Sequence, residues 1–147
     1  GGYLQIMGVP VGQLLASDQK APGRADGSIM MLVATDAPLS DRNLRRLAWR
    51  AFAGLARTGA SMSNGSGDYA LAFSTSQAVR RTIPRRSGVA RVDQLANELM
   101  SPLFQATIEA TEEAIYNALF MATDVTGYRK HTVQALPKAQ VLELLSN

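Results

Sequence analysis

A serine stands where a polar segment of the chain gives way to an apolar one. Residues 17–27 contain almost no apolar side chain, whereas residues 28–35 read Ser-Ile-Met-Met-Leu-Val-Ala-Thr. If the bond between Gly27 and Ser28 is broken, Ser28 becomes an N-terminal residue that carries both a hydroxyl group and an α-amine. The pKa of an α-amine is about 7.7–8, which suits a general base at neutral pH. Ser28 is therefore a candidate nucleophile that supplies its own base, as N-terminal nucleophiles do.

The composition narrows the other catalytic options. The chain has no cysteine and one histidine, His131, so its own residues provide no thiolate nucleophile, disulfide or cysteine-ligated zinc site. A Ser-His-Asp triad would need His131 to lie beside the right serine, and the residues around it give no such pattern. We expect neither a metal nor a cofactor. Taken alone, however, a Gly-Ser pair before a strand is typical of a simple turn.

Apolar periodicity predicts the elements that hold Ser28. The nearly continuous apolar run over residues 28–35 predicts a strand buried on both faces. Ser40 is a typical N-cap residue, and apolar residues then recur at three- and four-residue spacing until Gly59, which predicts an amphipathic helix. Residues 69–74 predict a second strand.

The second half of the chain is predicted to be mainly helical. Residues 92–122 form a long helical stretch that Pro102 is expected to divide or kink, and a last helix begins near Pro137. Strands mixed with helices in a chain of 147 residues predict a single domain, residues 1–147, built as a layered α/β sandwich.

The charge of the chain is concentrated in one segment. The formal net charge is +3, and four arginines fall within residues 80–86, with Arg91 close behind. Such a cluster is found in phosphate and nucleic-acid patches, but also in solvated loops and subunit contacts. Because no aromatic side chain interleaves the run, we expect no nucleic-acid partner. No apolar run approaches the length of a membrane span, and no signal peptide is visible, so the compartment, cytoplasm or periplasm, stays open.

Several segments resemble one known family. Residues 26–39 read Asp-Gly-Ser-Ile-Met-Met-Leu-Val-Ala-Thr-Asp-Ala-Pro-Leu and resemble the processing site and first strand of the DmpA/BapA family. This family comprises the L-aminopeptidase D-Ala-esterase/amidases and the β-aminopeptidases, also called the P1 or S58 family. The resemblance continues through Gly-Val-Pro-Val-Gly at 8–12, Asn-Gly-Ser-Gly-Asp at 64–68 and Glu-Glu-Ala-Ile-Tyr-Asn-Ala-Leu at 112–119, in the order of the family.

The resemblance implies a self-processing serine aminopeptidase or amidase. An inactive precursor would cleave itself between Gly27 and Ser28, and the mature enzyme would release small N-terminal residues from peptides, amides or esters through an acyl-enzyme on Ser28. It also implies an αββα sandwich, similar to that of N-terminal nucleophile hydrolases but with different connectivity, and a homo-oligomer of αβ units that needs no metal. Ser66 and Asp68 match the supporting residues of the family. Ser66 would hydrogen-bond the hydroxyl or amine of Ser28, and Asp68 would orient Ser66 or stabilise the ammonium group.

Other interpretations of these segments stay open. Without the resemblance, Ser66-Gly67-Asp68 is typical of a turn whose aspartate caps backbone amides. In the family's terms, residues 1–27 would be the end of the α part with the processing loop, and residues 28–147 the β part. The sandwich would then be incomplete, and the α portion of the same precursor would be a partner that supplies oxyanion-hole donors. The alternatives are a noncatalytic α/β domain that binds an acidic partner, and a truncated family relative that acts as an oligomerising module.

Overall fold

The structure, a computed structural model, describes residues 3–16 and 27–146. Most of the polar loop expected at residues 17–27 therefore lies outside the described residues. In chain order the described helices and strands are α1 (Val11–Ala16), β1 (Met30–Thr35), α2 (Asp41–Arg57), β2 (Tyr69–Ser74), α3 (Met100–Met121), β3 (Val125–Thr126), β4 (Thr132–Val133) and α4 (Lys138–Ser146). Short 3-10 turns occupy Pro84–Arg86, Asn97–Leu99 and Tyr128–Lys130.

The sheet next to Ser28 is parallel. β1 and β2 pair over their whole length, from Met30 with Tyr69 to Thr35 with Ser74. The chain passes between these parallel strands through α2, as a βαβ connection requires. The described elements thus mix helices with a parallel sheet, which agrees with the predicted α/β class.

Helix α2 begins and ends as its sequence predicts. The Ser40 hydroxyl accepts a hydrogen bond from the N–H of Asn43 at 3.4 Å, so Ser40 is the N-cap. At the other end Gly59 has a φ of +86° and follows the C-cap residue Thr58. A left-handed residue just after the C-cap favours glycine, since glycine adopts this conformation without steric strain.

Helix α2 is packed between the sheet and α3. Its buried residues Ala51 and Leu55 contact Met31 of β1, and Leu47 forms a second core with Met100, where α3 begins. At Gly54 the two helices approach so closely that a Cβ atom would lie 2.6 Å from the carbonyl oxygen of Ile108. Glycine at this position therefore sets how near α3 comes to α2.

The prediction that the first strand is buried on both faces is wrong for the described residues. Met31 is 6% exposed, whereas its neighbours Met30 and Leu32 are 72% and 65% exposed. In β2 the residues on the same face as Met30, including Tyr69 and Leu71, are exposed as well. The pattern arises because α2 covers one face of the two-stranded sheet and no described element covers the other.

The prediction for the late helices needs one correction. The chain over residues 92–96 is not helical, and α3 runs without interruption from Met100 to Met121. Pro102 neither divides nor kinks it, because Pro102 lies in the first turn, where a backbone N–H has no helical partner to lose. The helix predicted near Pro137 is confirmed as α4. Among the described residues no helix has both the length and the apolar character that a membrane span needs.

Candidate active site

The candidate site lies at the edge of the sheet where both strands begin. Because β1 and β2 are parallel and pair from their first residues, the segments that lead into them meet at this edge. Ser28 lies two residues before β1, and Asp68 lies directly before β2. The register thus brings residues 27–29 against residues 66–68, and all three predicted site residues lie together.

The Ser28 hydroxyl faces solvent and accepts one hydrogen bond from the backbone. The N–H of Gly67 donates to Ser28 Oγ at 3.0 Å, and Ser28 itself is exposed. The serine oxygen is therefore held in place while it stays open to a reacting group.

Ser66 contacts the peptide bond that precedes Ser28. Its Oγ atom lies 2.5 Å from the carbonyl oxygen of Gly27 and 2.8 and 2.9 Å from the two carboxylate oxygens of Asp68, so its one proton is shared between these acceptors. The hydrogen bond from Ser66 to the hydroxyl or amine of Ser28 stays a prediction. In the uncleaved chain Ser28 Oγ accepts from the N–H of Gly67, and Ser66 Oγ contacts Gly27 and Asp68.

Asp68 links the two segments. Its Oδ1 atom accepts from the backbone N–H of Ile29 at 3.2 Å as well as lying within hydrogen-bond distance of Ser66 Oγ. The carboxylate is half-buried, and the main-chain ladder begins directly beside it, where the N–H of Tyr69 donates to the carbonyl of Ile29 at 2.9 Å. Asp68 therefore contacts both Ser66 and the backbone at the start of β1.

This arrangement suits an attack by Ser28 on the Gly27 carbonyl. A hydroxyl group that donates to a carbonyl oxygen polarises the carbonyl and stabilises the oxyanion that forms upon attack. The nucleophile and the polarised carbonyl belong to neighbouring residues, so no separate binding step is needed to bring them together.

Sequence reasoning missed Gly67 as part of the site. Gly67 contributes a backbone N–H, which every residue except proline has. The residue type at position 67 therefore does not indicate a role in the site. The available signal was its position, since it stands between two residues that the family resemblance had singled out.

A second polar group lies on α3. Glu112 accepts from the Tyr116 hydroxyl at 2.8 Å and pairs with Arg57 at 3.4 Å, while the N–H of Met7 donates to Tyr116 Oη at 3.2 Å. Burial raises the pKa of Tyr116 above its ordinary value of 10.0. These contacts attach the turn at Met7 and Gly8 to α3, so the group holds the N-terminal segment in place.

The remaining candidate residues are accounted for by local structure. His131 is exposed in the hairpin of β3 and β4, where its carbonyl accepts from the N–H of Gly127. In the arginine-rich segment, Arg80 donates to the carbonyl of Thr75 at 3.1 Å and Arg85 to that of Ala78 at 2.7 Å. Two of the clustered arginines therefore stabilise the loop to which they belong. In the part of the chain that the structure describes, no three acidic or imidazole side chains are grouped as a metal site requires.

Comparison with known proteins decides the family. The sequence profile of peptidase family S58 matches residues 1–133. The chain belongs to peptidase family S58. It is similar to the β-peptidyl aminopeptidase BapA of Sphingosinicella microcystinivorans, with 39% identity over 159 residues, which cover 97% of this chain and 39% of that protein. The predicted membership of the DmpA/BapA family is confirmed.

Solved structures of similar chains agree with the S58 assignment. The L-aminopeptidase D-Ala-esterase/amidase of Ochrobactrum anthropi, described as a prototype for the serine aminopeptidases and a new variant of the Ntn hydrolase fold, superposes with a TM-score of 0.82 at 34% identity. The PH0078 protein of Pyrococcus horikoshii OT3 gives a TM-score of 0.85 at 45% identity. Both alignments cover 99% of this chain and 39% of the other, so the S58 chain spans about two fifths of the length of these relatives. The α/β fold of the Ntn hydrolase type is confirmed.

Proposed function

We propose that the complete protein is a self-processing serine aminopeptidase or amidase, with Ser28 as the nucleophile. The observation that carries the proposal is the hydrogen bond from the Ser66 hydroxyl to the Gly27 carbonyl, the bond that processing would break. Membership of the S58 family supports the same assignment.

Self-cleavage proceeds as an N-to-O acyl shift. Ser28 Oγ forms a bond to the carbonyl carbon of Gly27, and the oxyanion that develops is stabilised by Ser66. The C–N bond then breaks, and the proton lost by Oγ ends on the departing nitrogen, which becomes the α-amine of Ser28. Water hydrolyses the resulting ester, which releases the Gly27 carboxylate and restores the hydroxyl group.

The mature enzyme uses the same atoms on substrates. The free α-amine of Ser28 takes the hydroxyl proton, Oγ attacks a peptide, amide or ester carbonyl, and the leaving group departs with that proton, which leaves an acyl-enzyme ester on Ser28. Water then hydrolyses this ester, releases the acyl group as a carboxylic acid and restores the hydroxyl group. Asp68 stabilises the ammonium group and keeps Ser66 oriented. We propose substrates with a small N-terminal residue and a free amine, since related proteins are named β-peptidyl aminopeptidase and L-aminopeptidase D-Ala-esterase/amidase.

The exposed apolar face of the β1–β2 sheet supports the proposal that a further part of the precursor packs against it. Large apolar side chains exposed together mark a surface that another element covers. We propose that residues 28–147 are the β part of a single domain, residues 1–27 the end of the α part with the processing loop, and that the upstream α portion of the precursor covers this face. The mature αβ unit then assembles into a homo-oligomer.

The test is the intact mass and N-terminal sequence of the precursor expressed with its upstream portion. We expect a new chain that starts at Ser28, lost in Ser28→Ala and retained in Ser63→Ala, which removes a neighbouring hydroxyl from the loop before β2. The cleaved protein is expected to hydrolyse at least one of the β-alanyl, D-alanyl and L-alanyl p-nitroanilides. A precursor that stays whole and leaves all three substrates intact contradicts the proposal.

A further inference from the structure

We infer that Gly67 is a positioning residue for Ser28, acting through its backbone N–H. This N–H donates to Ser28 Oγ at 3.0 Å, and the contact joins two residues 39 positions apart in the chain. The inference rests on the proposed function, since it concerns how the proposed nucleophile is held.

The hydrogen bond from Gly67 affects which lone pair of Ser28 Oγ is available to attack a carbonyl carbon. A serine hydroxyl has one proton and two lone pairs. The N–H of Gly67 occupies one lone pair, which restricts the rotamer of the side chain and leaves the second lone pair available for reaction. As Oγ loses its proton, the same N–H becomes a charge-assisted donor to it, and such hydrogen bonds are about twice as strong as neutral ones. The contact therefore gains strength at the moment when Ser28 reacts.

The space beside Gly67 is limited by Ser28. The φ angle of Gly67 lies outside the left-handed region, so the left-handed conformation is not what favours glycine here. An added Cβ atom would lie 3.3 Å from Ser28 Oγ, which is a tight contact, and 3.9 Å from Ser28 Cβ, which is an ordinary one. A side chain at position 67 would therefore displace Ser28 Oγ by a few tenths of an ångström.

The first experiment compares two glycine substitutions in the complete precursor. Gly67→Ala is expected to slow self-cleavage about 10-fold, since a displacement of the nucleophile by 1 Å costs about 100-fold and the shift required here is smaller. Gly88→Ala is the matched control, because a Cβ atom at Gly88 would meet nothing within 4 Å. Both variants, in the Ser28→Ala background that prevents cleavage, are expected to unfold at the temperature of their parent.

The second experiment removes the donor without adding atoms. Replacement of the Gly67 backbone amide by an ester, through semisynthesis of the precursor, deletes the N–H and leaves the space unchanged. We expect self-cleavage to slow about 10- to 100-fold, as for the loss of a hydrogen bond to a charged group. In the matured protein the ester is expected to lower kcat by a similar factor and leave KM unchanged, which a general loosening of the loop would not do.

The outcomes separate this inference from the proposed function. If the wild-type precursor does not cleave at Gly27–Ser28, the proposed function itself fails. If the wild type cleaves and the ester variant cleaves at the same rate, the role of the Gly67 N–H is overturned and the proposed function stands. A Gly67→Ala variant that unfolds at a much lower temperature than Gly88→Ala would point to a structural role instead, and the ester variant then decides.

Discussion

The two ends of the β1–β2 sheet carry polar clusters of different kinds. At the amino edge, defined by residues 27–29 and 66–68, side chains from one segment contact the backbone of the other. At the carboxyl edge, defined by residues 75–86 after β2, the guanidinium groups of Arg80 and Arg85 contact carbonyl groups of their own loop.

The two edges differ in which backbone carbonyl groups accept hydrogen bonds from side chains. At the amino edge the carbonyl that accepts from Ser66 belongs to the residue before Ser28, so this carbonyl and the proposed nucleophile belong to neighbouring residues. At the carboxyl edge Arg85 donates to the carbonyls of Gln77, Ala78 and Arg80, which shapes the loop. Four arginines in seven residues are typical of solvated loops and subunit contacts as well as of anion sites, so the cluster at the carboxyl edge gave a weaker signal of function than the segment around Ser28.

The largest effect among the supporting residues is expected for Ser66→Ala. Because Ser66 donates to the oxygen that becomes the oxyanion, its removal should slow self-cleavage of the complete precursor about 100- to 1000-fold. The rate is measured by intact mass over time. Ser63→Ala is the control, and equal rates for the two variants would show that the Ser66 hydroxyl plays no part.

A smaller loss is expected for Asp68→Asn. The amide keeps an oxygen acceptor for the N–H of Ile29 but lacks the negative charge that orients Ser66 and would stabilise the Ser28 ammonium group. We expect about a 10-fold reduction in kcat of the matured protein, since hydrogen bonds to charged groups exceed neutral ones by about 1 to 1.5 kcal/mol. Asp93→Asn, on the exposed chain before α3, serves as the control, and a reduction in both variants would contradict a local role for Asp68.

The smallest effect is expected at the carboxyl edge. Arg85→Ala removes hydrogen bonds from a half-buried guanidinium group to three carbonyls and should lower the free energy of unfolding by about 1 kcal/mol. The rate of self-cleavage should not change. The free energy of unfolding is measured by denaturant unfolding of Arg85→Ala in the Ser28→Ala precursor, which does not cleave. The rate of self-cleavage is measured by intact mass in the precursor that retains Ser28. Arg86→Ala, at an exposed arginine, is the control. If Arg85→Ala slowed cleavage, the conclusion that the carboxyl edge takes no part in the reaction would be contradicted.

Much of the fold could be predicted because its signals are local. Ser40 and Gly59 mark the ends of α2, and the apolar spacing between them sets which side of the helix is buried. The burial of β1 could not be read in the same way. An apolar run such as that over residues 28–35 shows that both faces of a strand suit an apolar environment, but not which described element lies against each face. Met30 and Leu32 are exposed here for that reason.

Pro102 illustrates a related limit. A proline within an apolar helical pattern predicts a break, unless the helix happens to begin there. Met100 is drawn into the core formed with Leu39 and Leu47, and this packing sets the start of α3 two residues before the proline. The boundary thus depends on contacts with residues more than fifty positions away.

The sequence by itself indicated Ser28 as a candidate nucleophile from its position, and the resemblance to the DmpA/BapA family added Ser66 and Asp68 as candidate supporting residues, because such a resemblance depends on residue types in a fixed order. Only the tertiary structure decided how they act on one another. The parallel register of β1 and β2 places Ser66 against the Gly27 carbonyl and assigns the Ser28 oxygen to the N–H of Gly67. Contacts between segments 39 positions apart follow from strand pairing and packing, and no local pattern encodes which donor meets which acceptor.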